Sequence, residues 1–178
     1  AGRVAPTPLV KLDDLMRQGL ALHQSGRLAE AEPIYRRVLE RQPRHPAANH
    51  LLGLARLQQG HPDEAVLLLQ RAVAKRGADP QYHCNLGAAL NAAGQPERAL
   101  PSLDRAIALK PDYAEAHSNR GMALKSLGRL AEAVASYREA VRLKPREPGF
   151  HLNLANLLSQ SGDALEAEAA FRRALELR

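Results

Sequence analysis

The feature that most constrains the fold is a glycine that recurs at one fixed interval. The five glycines that share this interval are separated by 34 residues at every step: Gly26, Gly60, Gly94, Gly128 and Gly162. Five residues after each glycine comes an alanine, and four residues further on comes Tyr, Leu or Phe. Self-similarity at such an interval is typical of stacked structural repeats. The sequence therefore predicts an array of similar units, with no single globular core.

Each interval contains two predicted helices. Apolar residues in segments such as NLGAALNAAG fall at spacings of three and four, which is the period of an amphipathic helix. In the fourth copy we expect one helix from about Glu115 to Leu127 and a second from about Leu130 to Leu143, with Gly128 as a left-handed cap between them. The low aromatic content of 3% also favours helices over sheets. The predicted fold is all-α.

A second small residue stands seven positions before each of these glycines. In the fifth copy it is Ala155, and in the first four copies it is a glycine: Gly19, Gly53, Gly87 and Gly121. A small residue at this place lets the two helices of one copy approach closely. One helix pair cannot bury its apolar stripe alone, so we expect the copies to stack side by side.

The period, the small residues and the prolines that end three copies (Pro43, Pro111 and Pro145) together resemble the tetratricopeptide repeat. The pattern is most similar to the superhelical arrays of O-GlcNAc-transferase-like and related bacterial proteins. The resemblance implies a right-handed α-solenoid of five helix-turn-helix units over residues 12–178, preceded by a proline-containing arm at residues 1–11. The predicted repeats are 12–45, 46–79, 80–113, 114–147 and 148–178. The aromatic that often opens the first helix is replaced by Leu15, Asn49, His83, His117 and His151.

Asparagine recurs at one position of the last three repeats, as Asn85, Asn119 and Asn153. Asparagine is a poor helix former, so its recurrence suggests that the amide has a task. An amide both donates and accepts, so a row of them can hold the backbone of an extended peptide. In the O-GlcNAc transferases that this part resembles, a similar row lines the concave surface. The alternative is that the amides bond to neighbouring helices and keep the stack in register, and the sequence leaves both interpretations open.

The predicted peptide-binding surface extends beyond this asparagine row. The first two repeats carry Arg17 and Leu51 in the matching places, which confines the row to the last three repeats. Residues one or two helical turns further on share the same inner face. The predicted additional members are Ala88, Asn91, Met122, Lys125 and Asn156.

The sequence contains no pattern that predicts catalysis or a bound cofactor. The glycines are single and lie at helix ends or crossings, unlike a phosphate-binding loop. His83, His117 and His151 lie along a line, so we expect them to pack as substitutes for the usual aromatic and not to converge on a metal. The single cysteine, Cys84, excludes an internal disulfide. We therefore predict no enzyme activity, no metal and no cofactor.

Charge and hydropathy limit the class of partner. The net charge of +6 is spread along the chain without interleaved aromatics, so we do not expect nucleic acid to be the partner. No apolar run is long enough to predict membrane insertion, and a cytoplasmic location is the default.

Three functions follow as hypotheses. The first is a protein–protein interaction scaffold that binds an extended peptide or partner protein on its concave face, with no small-molecule substrate. The second is a substrate-recruiting segment of a larger glycosyltransferase- or sulfotransferase-like enzyme. The third is a homo-oligomer formed through the C-terminal helix. The last two rest on the apolar residues of a final helix for which no polar capping helix is predicted: Leu165, Phe171, Ala174 and Leu175.

Overall fold

The computed structural model describes residues 11–177, and ten helices account for most of this range. Residues 1–10 of the predicted arm (residues 1–11) lie outside the described residues, and its last residue, Lys11, caps the start of the first helix. No strand is present between residues 11 and 177. The helices are α1 Leu12–Gln24, α2 Leu28–Arg41, α3 Pro46–Gln58, α4 Pro62–Lys75, α5 Pro80–Ala92, α6 Pro96–Leu109, α7 Ala114–Ser126, α8 Leu130–Leu143, α9 Pro148–Ser161 and α10 Ala164–Glu176.

The break within each helix pair is made by the periodic glycine. Gly128 has a φ of 72°, a left-handed conformation that residues with a Cβ rarely adopt. The N–H of Arg129 then donates to the carbonyl of Leu124 over 2.9 Å, which closes the end of α7. The predicted left-handed cap is therefore confirmed. The predicted bounds of α8 agree with the structure, and those of α7 differ by one residue at each end.

The second small residue brings the two helices of a pair into direct contact. A Cβ added at Gly87 would lie 2.4 Å from Cγ of Leu103, and one at Gly121 would lie 2.8 Å from Cδ1 of Tyr137. Both distances are shorter than any normal carbon–carbon contact. The bulky residues of the second helices fill this space completely, and Leu103 is fully buried. The small-and-large pairing in the sequence therefore corresponds to the helix crossing of each pair.

The order of contacts explains why the stack is curved. Each helix packs against the next one along the chain, and the first helices of consecutive pairs (α1, α3, α5, α7 and α9) also contact one another. Over residues 11–177 no two second helices (α2, α4, α6, α8 and α10) have Cα atoms within 8 Å of each other, and long side chains such as Arg36 and Arg138 bridge the gap to Glu64 and Glu166. The pairs are therefore closer together on the side of the first helices, which form the inner face. The result is an all-α solenoid of helical repeats, as the sequence predicts.

Candidate functional site

The asparagine row lies on three consecutive first helices of the inner face. Asn85 is on α5, Asn119 on α7 and Asn153 on α9, and all three side chains are half-buried. The positions are equivalent because each helix repeats the geometry of the one before it. The structure therefore aligns these three amides along the direction in which the repeats stack.

The amide nitrogens of the row bond to the preceding repeat. Asn119 Nδ2 donates to Cys84 Sγ over 3.5 Å, and Asn153 Nδ2 donates to Ser118 Oγ over 3.2 Å. Asn85 Nδ2 lies 2.8 Å from His50 Nε2 in the same arrangement. Each acceptor lies on the preceding first helix. It stands one residue before the position of that helix that is equivalent to the asparagine. These bonds fix the register of adjacent repeats, so this part of the register interpretation is observed.

The amide oxygens of the row point to a different use. Among residues 11–177 no donor is bonded to Oδ1 of Asn85, Asn119 or Asn153. These three oxygens are not fully buried, so they are accessible. The Oδ1 atom of Asn91, by contrast, is buried and unbonded. Each member of the row therefore keeps a free acceptor and a second N–H after its bond to the preceding repeat.

The remaining predicted members of the surface differ in accessibility. Met122 and Asn156 are exposed, and Ala88 and Lys125 are half-buried. Asn91 Nδ2 donates to the backbone carbonyl of Asn119 over 2.8 Å, so this amide joins α5 to α7. The structure thus places the set on the first helices, with one member already engaged by the neighbouring backbone.

The first two repeats present a different inner face. Leu51 and Leu54 are half-buried on α3, and Leu20 is 38% exposed on α1. Arg17 is exposed and forms an ion pair with Asp14 of its own helix. No amide occupies the row position here, so the polar lining begins at the third repeat.

His50 forms the junction between these two parts of the inner face. Its ring stacks on Tyr82 with centroids 4.0 Å apart and an interplanar angle of 9°. Burial lowers the pKa of His50 to about 4, so the imidazole is neutral near pH 7. Since an amide NH₂ can only donate, Nε2 of this neutral ring is the acceptor and Nδ1 carries the proton. The bond from Asn85 therefore requires His50 to be uncharged.

Three histidines that were predicted only as packing residues also form hydrogen bonds. Nε2 of His83, His117 and His151 lies 3.0, 2.9 and 2.9 Å from a backbone carbonyl six residues earlier, in the turn between repeats. Asn49 Nδ2 makes the same bond to Pro43 over 3.1 Å. The polar residues at this position therefore hold the turn that precedes their own helix. The signal in the sequence was a donor side chain six residues after Pro43, Pro111 and Pro145.

A second polar network was not predicted. Arg56 occupies the position that is leucine in the other four repeats, and it bonds to Glu64 over 2.8 Å and to Glu32 over 3.2 Å. Arg36 bonds to the same two carboxylates. Burial would raise the pKa of Glu32, but the hydrogen bond from Arg36 and the charge of Arg56 lower it overall. This network joins α2, α3 and α4 in place of apolar contacts.

Other kinds of site find no support in the part of the chain that the structure describes. Between residues 11 and 177, no group of three His, Cys, Asp or Glu side chains is placed to hold a metal ion. Burial raises the pKa of Cys84, so its thiol is protonated at neutral pH. None of the described helices combines the length and apolar character that a membrane crossing requires.

The chain is similar to one known family in sequence. A family profile described as tetratricopeptide repeat matches residues 22–90 and 124–178, and a second with the same description matches residues 84–148. No curated protein sequence gives a significant match.

Several solved structures have a similar fold. A crystal structure of MamA has a TM-score of 0.77 and 26% identity, with coverage of 89% of this chain and 93% of that one. TTC0263, a thermophilic TPR protein of Thermus thermophilus, has a TM-score of 0.77 and 28% identity, with coverage of 94% and 91%. YrrB, described as a TPR protein with an unusual peptide-binding site, has a TM-score of 0.73 and 22% identity, with coverage of 92% and 84%.

Proposed function

The chain belongs to the tetratricopeptide repeat family and has the fold of a protein-interaction scaffold, and we propose that its inner face binds an extended peptide segment of a partner protein. The observation that carries this proposal is the asparagine row. It supplies one half-buried amide per repeat, each with an oxygen that has no donor among residues 11–177. The expected ligand contact is the peptide backbone, because the amides match its donors and acceptors whatever the side chains are.

The spacing of the row suits an extended chain. Packed helices lie about 8–10 Å apart. An extended peptide advances about 3.3 Å per residue, so neighbouring row members are separated by roughly three peptide residues. A bound segment of about seven to nine residues would therefore contact all three amides.

The bonds between repeats strengthen this proposal. Because Nδ2 of Asn119 and Asn153 is already bonded to Cys84 and Ser118, the orientation of each amide is set before a ligand arrives. A ligand that meets oriented groups loses less of its binding energy to ordering them. The register bond and the peptide contact are therefore compatible uses of one side chain.

The proposal can be tested with a selected peptide. Linear peptides would be selected from a random displayed library on the wild-type chain, and the best one would be titrated by fluorescence anisotropy. We expect the triple variant Asn85→Ala, Asn119→Ala, Asn153→Ala to weaken binding about tenfold or more, since each replacement removes backbone contacts worth about 1 kcal/mol. The matched control replaces three exposed residues of second helices with alanine: Glu97, Arg105 and Glu168.

Thermal melting shows whether each variant is folded, and the affinity for the peptide then separates the two interpretations of the row. If the amides serve only the register, the triple variant will melt at a lower temperature but bind the peptide with unchanged affinity. That result would overturn the proposed role of the row, whereas a loss of affinity in a fully folded variant would support it.

Self-association is a second candidate function, favoured by the last helix. Leu165 is 88% exposed and Leu175 is 66% exposed. The residues equivalent to Leu175 in the earlier repeats are half-buried against the pair that follows: Leu39, Val73, Ile107 and Val141. We expect a second copy to cover this surface, and light scattering over a concentration series should show a dimer that Leu165→Glu and Leu175→Glu abolish. The enzyme-recruiting alternative stays a prediction.

A further inference from the structure

We propose that the chain has a second binding surface, a basic one, which takes an acidic peptide segment. Three cationic side chains form it: Arg44 in the turn between α2 and α3, and Arg71 and Lys75 on α4. Together with Ala74 they line one open cavity of about 370 Å³. Arg71 and Lys75 are four residues apart, so they lie on the same side of their helix.

The three cations have no carboxylate partners in the described structure. Over residues 11–177 none of them takes part in an ion pair, and all three are exposed. The neighbouring Arg36 and Arg56, by contrast, are each paired with Glu32 and Glu64. An adjoining cavity contains a single carboxylate, Glu40, beside Arg36 and Arg71. Unpaired charges of one sign on a concave surface attract ligands of the opposite sign.

The repeat architecture itself does not require these cations. The positions of Arg44, Arg71 and Lys75 have equivalents in each later repeat, which allows a comparison within the chain. In the same order, these equivalents are Ala78, Arg105 and Leu109 in the first set, Asp112, Glu139 and Leu143 in the second, and Arg146, Arg173 and Leu177 in the third. The helices pack in the same way at all four places, although the charge ranges from three cations to two acids. The basic triad is therefore a property of one site and not of the fold.

The surroundings favour a peptide over a nucleic acid. Arg44 also lines a second open cavity of about 410 Å³, formed with Gln42, Pro43, His45 and Pro46. This places proline rings beside the cations, which suits a chain that carries both carboxylates and apolar groups. Arginine pairs with carboxylates through two parallel hydrogen bonds. Neither cavity is lined by Phe, Tyr or Trp on which unpaired bases would stack.

The basic surface is separate from the asparagine row. Its residues lie on a second helix and an inter-repeat turn, whereas the row lies on first helices α5, α7 and α9. The two surfaces can therefore be inactivated one at a time.

The test uses the full 178-residue chain and a fluorescein-labelled peptide of eight glutamates, titrated by fluorescence anisotropy at low and physiological salt. We expect binding that weakens with salt, and no binding of a peptide of eight glutamines. The double variant Arg71→Ala, Lys75→Ala should lower the affinity about tenfold or more. The matched control is Arg105→Ala, which removes the equivalent of Arg71 where the neighbours are Ala78 and Leu109.

The outcomes separate the alternatives. Equal affinity of the double variant and the wild type, or no binding of the glutamate peptide at low salt, would overturn the proposal. Tighter binding of a single-stranded oligonucleotide with eight phosphates, lost in the same double variant, would replace the peptide with a nucleic acid. The triple asparagine variant should retain glutamate binding, so failure of this surface and failure of the inner-face proposal can be distinguished. Circular dichroism spectra that coincide for all variants at the temperature of the titration establish that they are folded.

Discussion

The first two repeats and the last three share one backbone arrangement but line the inner face with different chemistry. Leu20, Leu51 and Leu54 give the first part an apolar lining, whereas Asn85, Asn119 and Asn153 give the second part a row of amides. The bonds between adjacent first helices begin where the lining changes, at His50 and Asn85. The comparison teaches that stacking needs only the small-and-large pairs of each repeat, which leaves the inner face free to vary.

The interior differs between the same two parts. Arg56 joins α2, α3 and α4 through Glu32 and Glu64, while the equivalent positions in repeats three to five are the buried residues Leu90, Leu124 and Leu158. At this position charge therefore holds the second repeat and apolar packing holds repeats three to five. Substitutions at this position should respond differently to salt in the two parts.

The largest expected effect tests what the two parts have in common. A Cβ at Gly53 would lie 2.8 Å from Cγ of Leu69, and one at Gly87 would lie 2.4 Å from Cγ of Leu103. We expect Gly53→Val and Gly87→Val each to lower the free energy of unfolding by about 3 kcal/mol, because the branched side chain forces the helices apart. Urea denaturation measures this change. Leu67→Ala, at a 58% exposed position of α4, is the control and should change stability little. A mild effect at Gly53 alone would show that the two parts do not share the same packing.

The next effect concerns the junction between the parts. The pKa of His50 is about 4 in the folded chain, and the usual value is about 6.5. Between these values the unfolded chain binds a proton at His50 that the folded chain excludes, so stability falls as the pH drops from 6.5 towards 4. The full loss is about 3 kcal/mol at most, from the size of the pKa shift. The charge of Asp79 opposes this shift and that of His23 adds to it.

The pH effect can be isolated with His50→Ser, which introduces the residue type that Ser118 provides at the equivalent position. Paired carboxylates elsewhere also lose their partners in acid, so the informative quantity is the difference between wild type and variant across roughly pH 4–7. We expect the unfolding free energy of the variant to depend less steeply on pH. Parallel curves for the two proteins would contradict the assignment of His50 as a neutral acceptor.

The charged interior of the first part gives a smaller effect. The Arg56 side chain is only 16% exposed, and its removal leaves Arg36 as the cation that still pairs with both Glu32 and Glu64. We expect Arg56→Ala to cost about 2 kcal/mol, less than for a fully buried pair. The cost should shrink at high salt, because ions screen the lost interaction. Leu124→Ala, at the equivalent position of the second part, should show no such salt dependence, and equal salt sensitivity of both variants would contradict the distinction.

The sequence predicted the elements of this fold well because its small residues act locally. Gly128 specifies a turn and Gly87 specifies a close contact, whatever the rest of the chain does. The direction of a polar side chain depends instead on the neighbouring repeat. The spacing of Asn119 and Asn153 placed them on one face, but their bonds to Cys84 and Ser118 depend on how adjacent first helices are rotated.

The residues that prediction missed are those that depart from the repeat pattern. Arg56 stands where the pattern has leucine, and nothing in its own helix indicates that Glu32 of another repeat is its partner. The basic triad likewise combines residues from two repeats. Such sites emerge only when positions from different copies are placed side by side.

The smallest expected effect concerns the residue that bonds to the turn before its own helix. This residue is Asn49 in the second repeat and histidine in the third to fifth repeats. The bond from His117 Nε2 to the Pro111 carbonyl is 2.9 Å long, and Asn49 Nδ2 bonds to Pro43 over 3.1 Å. We expect His117→Ala to lower the free energy of unfolding by about 1 kcal/mol, the usual net value of one hydrogen bond. His117→Asn should recover most of this loss, because asparagine already makes the same bond in the second repeat. Urea denaturation measures the free energy of unfolding of both variants. The control is Lys110→Ala, at an exposed residue near the same turn. If His117→Asn is as unstable as His117→Ala, the histidine acts through the bulk of its ring and not through its hydrogen bond, and the two parts hold their turns by different means.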